Sequence, residues 1–508
     1  MKIFTNAQRQ AIVRYTIEHD GVTELDLVER AGEGIAREIM SRWQPQQRTV
    51  VFAGWGNNGA DALAASRIML RNGYNPEIYL FNIGGNRLSK ECAKCKELLL
   101  SEFPQAKLTE VVASFNQPEL NSRCLVIDGL FGSGLNRPLA QSLCMILRSI
   151  NDSNADVVSI DIPSGLFSEW NTNLVNSNTI HATLTIAIEF PHLSFFFDDN
   201  AELIGEWTTV NIGLSQEAIR SIPYQYYLIT HADAQKILRP RWPEANKSEY
   251  GSALICAGSY GMMGAAVLAT RGCLRSGAGK VSCFAPQCGY QILQTAVPSA
   301  MFVTNSDKTH ITDISPKHSY HAIGIGPGIG THDDTISALE RFLKKCNATH
   351  TPLVIDADAL NCIAARPILL NYLPVMSVLT PHEGEFDRLF GEQQSSEERL
   401  RKAIEVSAFY NVVILLKGRY TAVVRPDGKV HINSSGSPAL ATGGSGDVLT
   451  GIITGLMAQA YSSEISSILG AYIHGVAGEI CAEEQGVFGT TAEDIAQAVG
   501  RAIKSIVE

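Results

Sequence analysis

Two helical patterns open the chain. Thr5-Asn6-Ala7-Gln8 has the form of a capping box, in which a threonine oxygen and a glutamine amide exchange bonds with orphan backbone groups. The helix it starts is predicted to run to about His19, where Asp20-Gly21 ends it. A second helix is predicted over 23–43, with Leu25, Val28, Ile35 and Ile39 on one face. From Arg48 short apolar runs alternate with helical ones. TVVFAG reads as a strand, GWGNNGAD as a glycine-rich loop, 60–71 as a helix stopped by Gly73, and NPEIYLF as the next strand. That is one βαβ unit. The scheme recurs with a helix over 89–103, a strand over 123–128, the loop GLFGSGLNRP, a helix over 139–150, a strand over 157–161 and the loop IPSG. TLTIAIEF and GEWTTVNIGL supply further strands. Such sheets are mostly parallel and covered on both faces.

Between residues 215 and 249 the alternation breaks down around Pro223, Pro240 and Pro243, and the stretch reads as a connector. It then restarts: strand GSALICAG, a helix over 264–275, strand GKVSCFAP, AIGIG into PGIG, PLVIDA into DALN, and SVLTPH into a helix from Glu383. VVILLKG and TAVVR follow, with PDG as a turn before KVHI. Loop ATGGSGD then starts a helix to about Tyr461, and two more helices close the chain. The pattern predicts two α/β domains, over 1–215 and 225–508, with 216–224 between them and no short repeat.

Composition narrows the class. The 508 residues are 45% hydrophobic and 18% charged, enough to fill two cores and too apolar for disorder. The net charge of −10 gives no basic field of the kind nucleic acid requires, so no nucleic-acid partner is expected. No run of roughly 18 apolar residues is apparent and the N-terminal segment lacks an apolar signal core, so no membrane association is expected. Eleven scattered cysteines, an odd number, suit free thiols in a reducing compartment, and the expected location is cytoplasmic. Cys92 and Cys95 form a C-x-x-C within a charged helical pattern and have no second pair at zinc spacing. Phe195-Phe196-Phe197 fits an exposed interface patch and a buried strand end equally well.

In an open α/β sheet, ligands bind beyond the carboxyl ends of the strands. The first domain places GWGNNGAD, DGLFGSGLNRP and DIPSG there, loops whose free N–H groups suit an anionic ligand. Asn58, Asp128 and Ser164 offer oxygens to a hard cation. In the second domain, ATGGSGDVLTG sets Gly443, Gly444 and Gly446 at a helix start with Asp447 just inside. A cradle of N–H groups beside a carboxylate is what phosphoryl transfer to an alcohol needs. An acidic residue that merely complements the helix dipole is the plainer alternative.

The order GSYGMMGAAVLATRGCLRSGAGKVSCFAP, GIGPGIG, DADALN, LTPHEGEFDRL, LLKG, TGGSGDVLTG resembles the ADP-dependent dehydratases of NAD(P)H repair, which have a ribokinase-like fold. ERAG, GNNGAD, IDGLFGSG and DIPSG resemble the fused, Rossmann-like NAD(P)HX epimerase. The resemblance implies epimerisation of R and S NAD(P)HX by the first domain. It implies ADP-dependent dehydration of the S form by the second, with AMP and phosphate as by-products. By resemblance, Asp447 is the catalytic base of the dehydratase. Ala265, Gly328 and His382 contact the hydrated dinucleotide, and Lys417, Gly418, Arg419, Tyr420 and Thr421 with Gly443, Gly444 and Gly446 bind the nucleotide.

In the epimerase it implies dinucleotide binding by Asn57, Asn58, Gly59, Ala60 and Asp61 and by Gly132, Ser133, Gly134, Leu135, Asn136, Arg137 and Pro138. Asp161 is the acid/base candidate, and Asn58, Asp128 and Ser164 the potassium ligands. ADP or ATP with Mg²⁺, K⁺ and a homo-oligomer are the implied cofactors and assembly. Asp356 and Asp358 read as supporting carboxylates, and His382 also reads as a helix cap. The family usually has NNGGDG, so Ala60 and Ala62 stand where it has glycine; NKSEYG at 246–251 is a smaller departure. A kinase for a small alcohol, carrying a non-catalytic first domain, is the competing reading.

Overall fold

The computed structural model describes residues 1–508 apart from Asn86, Ser114, 172–177 and Lys317. The chain divides between Tyr224 and Gln225 into two compact units.

Among the described residues of the first unit, seven strands form one parallel sheet. They are β1 (Thr49–Ala53), β2 (Glu77–Phe81), β3 (Leu108–Val111), β4 (Leu125–Gly129), β5 (Asp156–Ile160), β6 (Leu184–Ile188) and β7 (Glu206–Val210). Their order is β3-β2-β1-β4-β5-β6-β7, so the winding reverses between β1 and β4 and opens a crevice at their carboxyl ends. Alternate strand residues feed two cores. Val51 and Ala53 join Ile35, Leu63 and Leu99 from α2 (Glu24–Arg42), α3 (Asn57–Arg71) and α4 (Lys90–Glu102). Val50 and Phe52 join Leu147 and Ile150 from α5 (Gln141–Asp152) on the other face. The unit is thus three-layered. The N-terminal helix, Asn6–His19, has the capping box of Thr5 and Gln8.

Two expectations need correction here, and one open alternative is decided. The glycine-rich loop stops at Gly56, and α3 begins at Asn57 rather than at residue 60. Gly59 therefore sits in the first helical turn, packed so tightly that a β-carbon would lie 1.8 Å from the Gly54 carbonyl oxygen. The strand Leu108–Val111 was not expected: it lies at the end of the sheet and buries only Val111 fully, so it lacks an apolar run. The Phe195–Phe197 cluster is buried, in and just after a short 3₁₀ turn, and offers no exposed patch. Cys92 and Cys95 are free thiols inside α4, both pushed up to about 12 by burial.

In the second unit the strands are β8 (Tyr226–Ile229), β9 (Ser252–Cys256), β10 (Lys280–Phe284), β11 (Met301–Val303), β12 (Ala322–Ile325), β13 (Leu353–Ile355), β14 (Val378–Leu379), β15 (Val413–Leu416), β16 (Ala422–Val424) and β17 (Val430–Asn433). The order is β8-β17-β16-β15-β14-β13-β12-β9-β10-β11, antiparallel only where β16 meets its two neighbours. The stretch read as a connector contains β8 and the short helices Gln216–Ser221 and His231–Ile237; four-residue YYLI is too brief for periodicity to mark it.

Helices α6 (Met263–Arg275), α7 (Asp333–Ala348), α8 (Asp358–Ala365), α9 (Glu383–Phe390), α10 (Ser396–Tyr410), α11 (Ser445–Ala458), α12 (Ser463–Gln485) and α13 (Ala492–Val507) cover this sheet. The contact that positions the chemistry is α6 against α11. Glycines let the two backbones meet: a β-carbon on Gly272 would stand 2.4 Å from the Val448 oxygen, and one on Gly451 2.0 Å from the Ala269 oxygen. By length and composition α12 could cross a membrane, contrary to the reading of the sequence. Its Ile468, Leu469, Ile473 and Ala477 are instead buried in the core, as expected of a central helix.

Candidate active sites

A cavity of about 1610 Å³ occupies the carboxyl end of the first sheet. Asn57, Asn58, Asp61, the whole stretch Gly132, Ser133, Gly134, Leu135, Asn136, Arg137 and Pro138, and Asp161 all line it. Gly59 and Ala60 do not; they lie in α3 behind the lining, and Ala60 is fully buried in the core. Neither Ala60 nor Ala62 has a positive φ, so their β-carbons meet no backbone strain. Ala62 instead packs toward Gly129, where a second β-carbon would lie 2.6 Å away.

Asp161 directly follows β5 with a φ of +65°, in the left-handed region. Its Oδ2 accepts from the Ser133 N–H at 2.8 Å, and its Oδ1 lies 2.8 Å from His192 Nε2. Burial acts to raise its pKa. His192, the Arg9 guanidinium and the Ser133 amide outweigh that and hold it well below the usual carboxylate range. Arg9 itself is buried, donating to the Phe190 and Pro191 carbonyls at 2.8 and 2.6 Å. His192 is driven toward its neutral form by burial and by Arg9. Asp61 takes the opposite course: buried beside Asp161, its carboxyl is pushed well above the usual range. Two carboxyls in one cavity are thus pushed in opposite directions, as in acid–base pairs.

Asp128 is fully buried in β4. Its carboxylate accepts from the Ser159 and Ser164 hydroxyls at 2.9 and 2.6 Å and from the Ser164 amide at 2.9 Å. Among the described residues no side-chain cation pairs with it, and burial raises its pKa. Asn58 Nδ2 is buried without a hydrogen-bond partner. The Asp128 carboxylate and the Ser164 hydroxyl are oxygens of the kind that would hold a monovalent cation.

In the second unit, Gly444 caps α11 with a φ of +92°, and Asp447 sits in the first turn. A β-carbon on Gly444 would strike Leu268 at 2.5 Å, and one on Gly446 would lie 3.2 Å from Lys417 Nζ. These glycines leave the first amides of α11 open to an anion. Lys417 pairs with buried Asp356 at 2.8 Å, and Asp356 also accepts from the Thr450 hydroxyl at 2.6 Å. Burial, then the charge of Asp356, opposed by Lys417 and joined by Asp358 and Glu385, raises Asp447 to about 7. From behind, the ring of buried His474, lowered to about 4 by burial, meets both the hydroxyl and carbonyl of Ser445 at 3.0 Å.

Ala265 and Gly328 come together: a β-carbon on Gly328, whose φ is +64°, would touch that of Ala265 at 3.0 Å. Asp358 accepts from the Gly330 amide at 2.9 Å, fixing that loop. His382 caps α9, accepting from the Glu385 amide at 3.3 Å with its ring largely exposed and its Nε2 3.5 Å from Glu385 Oε1, so the capping role is real. Gly418, Arg419, Tyr420 and Thr421 form the turn between β15 and β16. Arg9, His192 and Thr450 were not anticipated from sequence; no local motif marks them, since their partners lie far along the chain.

The family model described as NAD(P)H-hydrate dehydratase matches residues 253–501, and that of the YjeF-related protein N-terminus matches 24–194. The bifunctional NAD(P)H-hydrate repair enzyme of Thermofilum pendens is 30% identical over all of this chain and 97% of its own. That of Coxiella burnetii is 30% identical over 97% of both. A solved ADP/ATP-dependent NAD(P)H-hydrate dehydratase from Bacillus subtilis, co-crystallised with ATP/Mg²⁺, is 30% identical, covering 55% of this chain and 98% of its own with a TM-score of 0.49. Matched in both units and from end to end, the chain belongs to the bifunctional NAD(P)H-hydrate repair enzymes.

Proposed function

We propose that the second unit dehydrates (S)-NAD(P)HX at the expense of ADP and that the first unit interconverts the R and S epimers. The observation that carries the reading is Asp447, raised to about 7, at the mouth of the glycine cradle that starts α11. Hydroxide is a poor leaving group, so the C6 hydroxyl of the hydrate must first be made a good one. Asp447 takes the hydroxyl proton as the oxygen attacks the terminal phosphoryl group, and the amides around Gly444 and Gly446 hold the charge that develops. The ring nitrogen then expels phosphate from C6, and loss of a C5 proton restores the dihydronicotinamide. Lys417, paired with Asp356, keeps one cation beside the cradle. Mg²⁺ bound with the nucleotide would neutralise phosphate charge.

In the first unit the substrate carbon carries a hydroxyl next to a ring nitrogen. Asp161 is poised to accept the hydroxyl proton; C6–N1 then breaks as the carbonyl forms, with protonated Asp61 supplying a proton to nitrogen. Rotation and reclosure give either epimer. Asp128, Ser164 and Asn58 would hold K⁺, which when bound would balance the buried Asp128 charge. Ala60 and Ala62, inside α3 and off the cavity lining, are compatible with full epimerase activity.

The test is a racemic NADH hydrate incubated with the protein, ADP, Mg²⁺ and K⁺, followed by absorbance of the restored dinucleotide. Full recovery, reached faster than with Asp161→Ala, is expected. Recovery that stops at half leaves a first unit that only binds. A stable phosphorylated product without recovery leaves a kinase.

A further inference from the structure

The inference below rests on the reading of Asp161 as the epimerase base. The Asp161 carboxylate is gripped from both ends, by the Ser133 amide on Oδ2 and by His192 on Oδ1. His192 is wholly buried and is not part of the cavity lining, so it cannot touch substrate. Its second ring nitrogen, Nδ1, is buried without a hydrogen-bond partner among the described residues. An orphaned buried polar atom carries a desolvation penalty that an apolar side chain of similar size would avoid. The ring is therefore retained for what Nε2 does.

The tautomer follows from the same geometry. An ionised carboxylate only accepts, so Nε2 carries the hydrogen and Nδ1 is bare. The ring's place is fixed in turn. Arg9 ties down the carbonyls of Phe190 and Pro191, the two residues preceding it, and the Phe195 ring meets its face edge-on at a centroid distance of 5.3 Å. The backbone of Asp161 itself stands in the left-handed region, at a φ of +65°.

We propose that His192 is a positioning residue of the epimerase. Its Nε2–H fixes Oδ1 of Asp161, so that the carboxylate faces the cavity in the orientation that receives the substrate hydroxyl proton. The same division, in which a buried donor orients the group that does the chemistry, is found wherever a catalytic side chain is held by a partner out of reach of substrate. Nothing in the motifs of the first unit marks this residue, since the contact joins positions 31 apart in sequence.

The experiment compares His192→Gln, whose amide nitrogen reaches the place of Nε2, with His192→Asn, which is polar but too short, and His192→Phe. Each is measured in the full chain for R-epimer consumption, with ADP-driven dehydration of pure S epimer as the internal control. The expected result is a kcat for epimerisation about 100-fold lower in the Asn and Phe variants, with KM within about twofold. The Gln variant should recover to within about tenfold of the parent, and all should retain dehydration. Equal rates for Gln and Asn, or a loss confined to KM, would overturn the proposal. Should the Phe variant not fold, the Gln–Asn pair decides alone. Asp161→Ala with an undiminished epimerisation rate would instead remove the reading on which the inference stands.

Discussion

In the proposed mechanism the two sites use an aspartate for the same task, taking a proton from the C6 hydroxyl, yet they surround it in opposite ways. Asp161 directly follows a strand, and a guanidinium, an imidazole N–H and a backbone amide hold it ionised. Asp447 begins a helix among Asp356, Asp358 and Glu385, with Lys417 as the opposing cation, and sits at about 7. The difference follows the chemistry. Epimerisation brings no new charge to the reacting carbon, so a permanently ionised base suffices. Phosphoryl transfer brings a polyanion against the base, and a carboxyl already balanced between its two forms is the better proton acceptor there.

The largest effect expected is on the dehydratase side. Asp447→Asn should lower ADP-driven dehydration of pure S epimer by about 10³-fold while leaving R-epimer consumption intact, measured side by side in one preparation. The same variant reports on stability. A carboxyl raised in the folded state binds protons that the unfolded chain has already released, so the parent loses stability as pH climbs from about 4 to 7. The Asn variant does not titrate. Its advantage in denaturant melts should open over that interval, reach on the order of 2 kcal/mol by about pH 8, and shrink on acidification.

Next in size is the cradle itself. Gly444→Ala puts a β-carbon at a φ of +92° and 2.5 Å from Leu268, so it should cost about 1–3 kcal/mol in thermal unfolding and abolish measurable nucleotide binding by calorimetry. A milder change sharpens the electrostatic contrast. Asp356→Asn removes the like charge that acts most strongly on Asp447, and the acidic limb of the dehydration rate should move about one pH unit lower.

The smallest effect concerns the departure in the first unit. Ala60→Gly and Ala62→Gly, which restore the glycines usual in the family, should destabilise by about 0.5–1 kcal/mol each because both lie inside α3. They should not raise the epimerisation rate. A clear gain in rate would mean that α3 meets the substrate where the cavity shows it does not.

How much of this could be read from the chain differs between the two sites. The dehydratase cradle is one contiguous segment, Gly443 to Asp447, whose glycines and acidic residue declare both the anion and the base. The fold around it was legible for the same reason: strands buried on both faces leave unbroken apolar runs such as VVILL and PLVI. Leu108–Val111 and Tyr226–Ile229 escaped because four residues carry too little periodicity, and the former is an edge strand with only Val111 fully buried. In the epimerase the loops were legible but the forces acting on them were not. Arg9 and His192 bear on Asp161 only after the sheet has closed, and no spacing rule joins residues 9, 161 and 192. Whether Ala60 and Ala62 belonged to a loop or a helix turned on where α3 begins, which glycine-rich sequence leaves open.

The most direct test is to record both activities of the unmodified protein, in one buffer series from about pH 5.5 to about 8. The opposed environments of the two aspartates predict that dehydration of S epimer rises with pH through a midpoint near 7, while consumption of R epimer shows no such rise. Coincident profiles, or an epimerase limb in that range beside a flat dehydratase, would contradict it.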